Sequence, residues 1–359
     1  LPQCILFWRS FTHWIGGMGV LVFILSILPL TGGYHMSLMK AESPGPSVNK
    51  LVPKVQSTAK ILYTIYIVLT LLEIFFLLIG GMPLFDAFTT AFGTAGTGGF
   101  GIKNDSIASY SPYLQVVVTV FMILFGINFN VFFLLLMKKP KQALLQEELR
   151  YYLLIIAVSI LVVTIYITDL YGSIWEALRH AAFQVASIIT TTGYATTDFN
   201  LWAEIPRTIL LMLMFVGACA GSTGGGIKVS RFVILFKTVK KELIQYVHPK
   251  SIRRISMDGH VVEHEVVRSV NVFLITYILV FALSVLLLAL DGHDLITNFT
   301  AVAATLNNIG PGLELVGPTQ NFGIFSDGVK LLLTFDMLAG RLELFPLLLL
   351  FVPSTWKRF

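Results

Sequence analysis

Apolar positions in this chain come in runs of two lengths. Seven runs, at about 5–29, 58–80, 113–137, 150–170, 205–237, 267–290 and 328–352, are long enough to cross a bilayer, which takes about 20 residues of helix. Three shorter runs, 84–94, 174–188 and 294–305, are too short to span but can dip into a membrane and return. From residue 58 onward the order is long, short, long, three times over. The pattern predicts an all-α polytopic membrane protein made of repeated helix, re-entrant pore loop, helix units at 58–137, 150–237 and 266–353. A lone helix at 1–29 precedes them, and 30–57, 138–149 and 238–265 read as polar connectors.

Each short run is followed by small and hydroxyl-bearing residues. The stretches are Gly96-Thr97-Gly98, Thr190-Thr191-Thr192-Gly193-Tyr194 and Asn307-Asn308-Ile309-Gly310. Phe88, Phe183 and Phe299 stand ten or eleven residues before Gly98, Gly193 and Gly310, with Asp86, Glu176 and Asp294 further back, so the three look like one unit used three times. A half-crossing helix brings its partly negative C-terminal end to the bilayer midplane, which favours a cation. The extended backbone after it then offers carbonyl oxygens in place of hydration water. The expected filter is backbone at 96–98, 191–193 and 308–310, each glycine in a conformation closed to other residues. No carboxylate lies in these stretches, which points to a monovalent cation, since divalent ions prefer anionic oxygens.

The run at 205–237 would be about 50 Å long as one helix, against a hydrocarbon core of about 30 Å. Its middle holds Gly217, Gly221, Gly224, Gly225, Gly226 and Lys228; three successive glycines predict a loop across the pore beneath the filter, with a helix-packing patch of small residues as the alternative. Arg341 falls mid-span in the last run, where a charge costs roughly 2.5–3.5 kcal/mol. It reads either as a positive barrier that flanks a narrow passage together with Lys228, or as an ion-pair partner of Asp336 or Glu343. Glu73 reads as an interfacial or paired residue near the outward end of its helix.

Mean hydropathy of +0.80, with 55% apolar and 13% charged residues, excludes an ordinary soluble domain. The net charge of +5 matters less than where it sits, and nothing here indicates nucleic acid. Lys40, Lys50, Lys54, Lys60, Lys138, Lys139, Lys141, Arg150, Lys237, Lys240, Lys241, Lys250, Arg253, Arg254, Arg268, Lys357 and Arg358 fall on one side. The opposite loops have little beyond Lys103, Arg207 and Lys330, so the filters are expected to open outward and the C-terminus to be cytoplasmic. Cys4 and Cys219 give no disulfide framework. His260 and His264 stand four apart without a third ligand. Clustered nucleophiles or acids at midplane depth, which a membrane-embedded enzyme would need, are missing, and no cofactor is expected. The opening at Leu1 reads as a piece of a longer protein.

Four stretches carry a resemblance: Phe-Trp-Arg-Ser-Phe-Thr-His-Trp-Ile-Gly-Gly-Met-Gly at 7–19, Thr-Thr-Thr-Gly-Tyr-Ala-Thr-Thr-Asp at 190–198, Ala-Gly-Ser-Thr-Gly-Gly-Gly-Ile-Lys at 220–228 and Gly-Arg-Leu-Glu at 340–343. In this order they resemble the Trk/Ktr/HKT superfamily of potassium transporters, most nearly its bacterial Trk branch. The resemblance implies K+ uptake across the bacterial inner membrane and four pore repeats in pseudo-fourfold array, the first incomplete here. It further implies a filter glycine in each repeat (Gly98, Gly193, Gly310), a gating loop at 217–228 and a pore-facing Arg341. It also implies a homodimer and a cytosolic nucleotide-binding regulatory subunit. The first filter, which helps decide between K+ and Na+ in relatives, would lie before Leu1. A Na+-permeable or Na+/K+-coupled relative and a truncated, non-transporting remnant are the alternatives.

Overall fold

A computed structural model describes residues 1–19, 55–251, 253–342 and 344–356. The far half of the first run, nearly all of the 30–57 connector with Lys40, Lys50 and Lys54, and also Glu343, Lys357 and Arg358 lie outside the described residues. In chain order, α1 (Gln3–Gly17) precedes a first unit of α2 (Val55–Ile79), α3 (Leu84–Ala95), α4 (Pro112–Phe125) and α5 (Phe129–Leu136). The short α6 (Pro140–Leu144) leads to a second: α7 (Glu147–Tyr171), α8 (Ile174–Ile189), α9 (Glu204–Val216) and α10 (Val229–Val247). A hairpin of β1 (Ser256–Met257) and β2 (His260–Val261) precedes the third unit, α11 (His264–Leu288), α12 (Leu295–Leu306), α13 (Asp327–Arg341) and α14 (Phe345–Leu348).

The helices that open the units, α2, α7 and α11, each run 25 residues without a break. At 1.5 Å per residue that is about 37 Å, enough to cross a bilayer with modest tilt. Their outward faces are apolar, with Leu71, Phe75 and Ile79 on α2, Leu154, Val158 and Leu161 on α7, and Ile275, Leu279 and Leu283 on α11 all exposed. Threonines 89, 90, 94, 190, 192, 297 and 300 are buried instead. Water would favour the reverse arrangement; lipid as the surrounding solvent favours this one. Each unit has its own apolar core, and α8 joins two of them by packing against both α7 and α4.

Hydropathy predicts one helix after each short run, and in every unit the structure has two. The run at 113–137 bends by 90° between α4 and α5. Gly126 ends α4, and Asn128 restarts the helix by accepting a hydrogen bond from the Asn130 N–H at 2.9 Å. The run at 205–237 breaks over residues 217–228, where the glycines predict it. The run at 328–352 breaks after Arg341: Leu344 takes φ 55°, and Pro346 lies in the first turn of α14, where a missing N–H costs nothing. Apolar content cannot reveal such breaks because caps and turns interrupt hydrogen bonding without changing hydropathy.

The connector at 238–265 also differs from expectation. α10 continues to Val247 and carries Lys240 and Lys241 on its last turns. Asp258 and Gly259, at φ 53° and 80°, form the two-residue turn between β1 and β2. His260 lies in β2 and His264 opens α11, so the pair does not share a helix face.

Candidate functional site

The short helices α3, α8 and α12 end in the same turn, bond for bond. The N–H groups of Gly96, Thr190 and Asn307 close the helices on Phe92, Ala186 and Ala303 at 3.0–3.2 Å. The next residues, Thr97, Thr191 and Asn308, are left-handed at φ 54°, 58° and 57°. Gly98, Thr192 and Ile309 then donate five residues back, to Gly93, Ser187 and Ala304, at 2.7–2.9 Å. Gly99, Gly193 and Gly310 follow, all at positive φ (63°, 85° and 110°).

This alignment corrects the sequence register in the first unit. Gly98 is not among the positive-φ residues, and its open side is filled by the ring of His13 from α1. The conformational counterpart of Gly193 and Gly310 is Gly99, and 97–99 is the segment equivalent to 191–193 and 308–310. Gly96 is right-handed at φ −79°. It is glycine for lack of room, since a Cβ there would lie 2.6 Å from the His13 carbonyl oxygen.

The segments meet in succession. A methyl group on Gly99 would collide with the Thr192 carbonyl oxygen, and one on Gly193 would collide with the Ile309 carbonyl oxygen. Each glycine thus faces the carbonyl one residue ahead of its counterpart in the next unit, as expected of repeats set around one axis. The side chains mostly brace this backbone. Thr190 donates to Ala186 O at 2.7 Å, Thr190 and Thr192 share a bond at 2.8 Å, Ser187 donates to Tyr194 O at 2.5 Å, and Asn307 donates to Ala303 O and the Tyr277 hydroxyl at 2.9 and 2.8 Å. The hydroxyl and amide groups of these turns are therefore largely engaged within the fold.

Tyr194 links two units. Its hydroxyl reaches the Thr90 carbonyl at 3.2 Å, over Gly93 of α3. A Cβ at Gly93 would run into that hydroxyl, which belongs to a fully buried ring with no route aside. Gly93→Ala is expected to destabilise the fold by about 1–3 kcal/mol, and adding Tyr194→Phe should restore part of that loss. Thermal unfolding of the four proteins of this double-mutant cycle measures the coupling, and additive losses would contradict the contact.

Residues 217–228 pass beneath all three segments. Thr97 donates its hydroxyl to Thr223 O at 3.0 Å, and the Gly225 N–H donates to the Thr191 hydroxyl at 2.6 Å. A Cβ on Gly225 would stand 2.6 Å from Asn307 O. Breaks in two helices satisfy each other here. The Gly126 carbonyl freed at the α4 bend accepts from the Cys219 N–H at 3.1 Å, and the Phe129 N–H that opens α5 donates to Gly221 O at 3.1 Å. Unwound backbone inside a membrane thereby keeps its hydrogen bonds. Gly217, Gly221 and Gly226 take φ 66°, 68° and 69°, which lets the loop reverse direction in so small a space.

Arg341, at the end of α13, reaches into the loop, donating to Thr223 O at 3.1 Å and to Gly16 O of α1 at 2.7 Å. Asp336, offered above as its ion partner, instead accepts from Ser284 at 2.8 Å, and Glu343 lies outside the described residues. Lys228 is buried, with its ammonium on the carbonyls of Gly224 and Gly225, so it pins the loop from within.

Sequence reading missed Glu148. This buried carboxylate at the start of α7 accepts from the Ala220 N–H at 2.7 Å and the Ser230 N–H at 3.0 Å, gripping the loop near both ends. Two adjacent acids, Glu147-Glu148, at the mouth of an apolar run amid lysines were the available signal. Glu73, read as an interfacial or paired residue, is fully buried.

A family model described as TrkH, cation transport protein, matches residues 1–358. The Trk system potassium uptake protein TrkH of Salmonella typhimurium is 37% identical over 362 residues, covering 99% of this chain and 74% of the relative. TrkH of Vibrio parahaemolyticus is 38% identical over 99% of this chain and 75% of its own length. TrkG of Escherichia coli, a further Trk system potassium uptake protein, is 36% identical over 99% and 74%. The crystal structure of the potassium transporter TrkH from Vibrio parahaemolyticus superposes with a TM-score of 0.86 at 36% identity, over 99% of this chain and 74% of that one.

Proposed function

The chain belongs to the TrkH family of cation transport proteins, and from that premise we propose that it takes up K+ across the bacterial cytoplasmic membrane. Family membership also sets aside the membrane-enzyme alternative. In this reading the ion path is lined by backbone carbonyls of residues 97–99, 191–193 and 308–310, and the 217–228 loop with Arg341 forms a gate beneath. The observation that carries it is the succession of Gly99 against Thr192 O and Gly193 against Ile309 O, which supports an arrangement of equivalent carbonyls around one axis.

Three short helices point their C-terminal ends at these turns, adding partial negative charge where a dehydrated cation would sit. The gate supplies the opposing term, a fixed positive charge on the inner side. We place the C-terminus and the basic residues of the hairpin region, Lys250, Arg253 and Arg254, in the cytoplasm. Such a surface suits an acidic partner, and we assign the expected nucleotide-binding regulatory subunit to it, on a homodimer of the transporter. Reversal potentials of the protein reconstituted in liposomes under opposed K+ and Na+ gradients test the function. They should follow the K+ gradient; potentials that follow Na+, or neither ion, would overturn the assignment.

A further inference from the structure

α7 begins without a cap of its own. Gln146, the residue before it, offers no side-chain hydrogen bond to the first turn, where N–H groups have no acceptor within the helix. The cap comes from 111 residues away: the Asp258 carboxylate, in the turn between β1 and β2, accepts from the Glu147 N–H at 2.7 Å. The Glu147 carboxylate in turn accepts from the Asp258 N–H at 3.3 Å, so the two residues make the reciprocal exchange of a capping box out of separate segments. Lys237 of α10 closes the group, donating to the other carboxylate oxygen of Glu147 and to Ser256 O of β1, the latter at 2.6 Å.

Glu148 is the next residue, and it serves the 217–228 loop instead. Its carboxylate takes the Ala220 and Ser230 N–H groups at 2.7 and 3.0 Å. Both residues are buried, and the Ser230 N–H, in the first turn of α10, has no acceptor within that helix. The first turn of α7 thus puts one acid on the cytoplasmic hairpin and the following one on the loop. α10, which continues from the loop, joins both through Ser230 at its start and Lys237 about 12 Å further along. The turn at Asp258-Gly259 does not itself require a carboxylate, since asparagine or glycine tolerates positive φ as well; the bond from Asp258 to α7 is additional to turn formation. The side chains of Lys237 and Glu147 are partly exposed, at 27% and 20%. An ion pair so placed is weak, which suits a contact that has to release.

We propose that Asp258 is a positioning residue of the gate: by capping α7 from the hairpin it keeps Glu148 on the loop, and drawing the hairpin away frees the loop. The inference rests on the gate reading above. Without the cap the first turn of α7 loosens, Glu148 leaves Ala220 and Ser230, and the loop loses an anchor near each end. Arg253 and Arg254 are exposed just before β1 and give an acidic partner surface a hold on the hairpin. The partner proposed above would then act on the gate through Asp258.

Cys219 reports on the loop directly, because it is fully buried near the loop's start and its N–H is bonded to Gly126 O. The test uses the full-length protein in liposomes with Cys219 as its one cysteine. Asp258→Ala should speed modification of that thiol by a small thiol reagent about tenfold, the effect of roughly 1.4 kcal/mol, and raise K+ flux per folded molecule alongside. Asp258→Asn keeps an acceptor for the Glu147 N–H and should stay close to wild type. Glu148→Gln combined with Asp258→Ala should exceed neither single change by much, since both act on the same two N–H groups. Lys237→Met loosens the group from the α10 side and should shift labelling in the same direction, which keeps the test open if Asp258→Ala folds poorly. Unchanged labelling in Asp258→Ala or Lys237→Met, independent effects of Asp258→Ala and Glu148→Gln, or an Asp258→Asn protein labelled as fast as Asp258→Ala would each overturn the proposal. Faster labelling with unaltered flux would uphold the hold of Asp258 on the loop and defeat the gate reading instead.

Discussion

Replacing Gly193 by serine is expected to cut discrimination between K+ and Na+ by about one to two orders of magnitude. Gly193 is held at φ 85°, and a non-glycine residue in such a conformation costs of order 1–3 kcal/mol. Space is the second constraint: a Cβ there would collide with the Ile309 carbonyl oxygen and lie 3.2 Å from Cδ of Pro311. Neither neighbour is the free end of a flexible side chain, so relief requires the backbone of the third unit's segment to shift. A carbonyl moved by a few tenths of an ångström no longer matches the radius of the ion it replaced water for, and 1.4 kcal/mol of lost difference between two ions is about tenfold in their ratio. The same substitution at Gly98, which is not at positive φ and meets the His13 side chain, should act through α1 packing. Permeability ratios measured on normally expressed Gly193→Ser decide the matter, and an unchanged ratio would remove Gly193 from the filter.

Gly98 and Gly99 also show where sequence reading stopped. Lengths of apolar runs were legible because lipid selects them directly: the three unbroken helices and three half-crossing ones fall where hydropathy puts them. The loop at 217–228 was legible because three glycines in a row disfavour a continuous helix. Register within the first filter segment was not. Gly96, Gly98 and Gly99 all supply what such a turn needs, and which of them takes positive φ depends on where α3 ends, a matter of one residue. The bend at Gly126-Asn128 hid for a related reason, since Asn128 acts through one side-chain cap that leaves the surrounding run apolar. The role of Glu148 was hidden on other grounds. The adjacent acids Glu147-Glu148 flag the position, but its role comes from two N–H donors, at Ala220 and Ser230, more than seventy residues away in sequence, and that pairing is not written in the local pattern.

Arg341→Ala is expected to raise K+ flux per molecule by about one and a half to three orders of magnitude. The guanidinium bonds to Thr223 O of the loop at 3.1 Å and to Gly16 O and Gly17 O of α1 at 2.7 and 3.3 Å. The Thr223 carbonyl also accepts from Thr97 at 3.0 Å, so the loop is tied at one atom both to the filter above and to α13. Two effects follow from losing the arginine. A cation leaving the filter would no longer meet its repulsion, worth roughly 2–4 kcal/mol at about 4–8 Å with an effective dielectric near 20; at about 1.4 kcal/mol per factor of ten that spans the range given. The loop would also lose one of its ties, and its glycines let it move at small steric cost. Arg341→Lys separates the two effects, since it keeps the charge but not the planar fork that reaches the loop and α1 at once. Flux near wild type in Arg341→Lys would make the charge the dominant barrier, and flux near that of Arg341→Ala would make it the tether. Liposome flux is normalised to folded protein in each case. A fall or no change in Arg341→Ala would count against the gate, and a lower folded yield with unaltered flux per molecule would mark Arg341 as a structural residue.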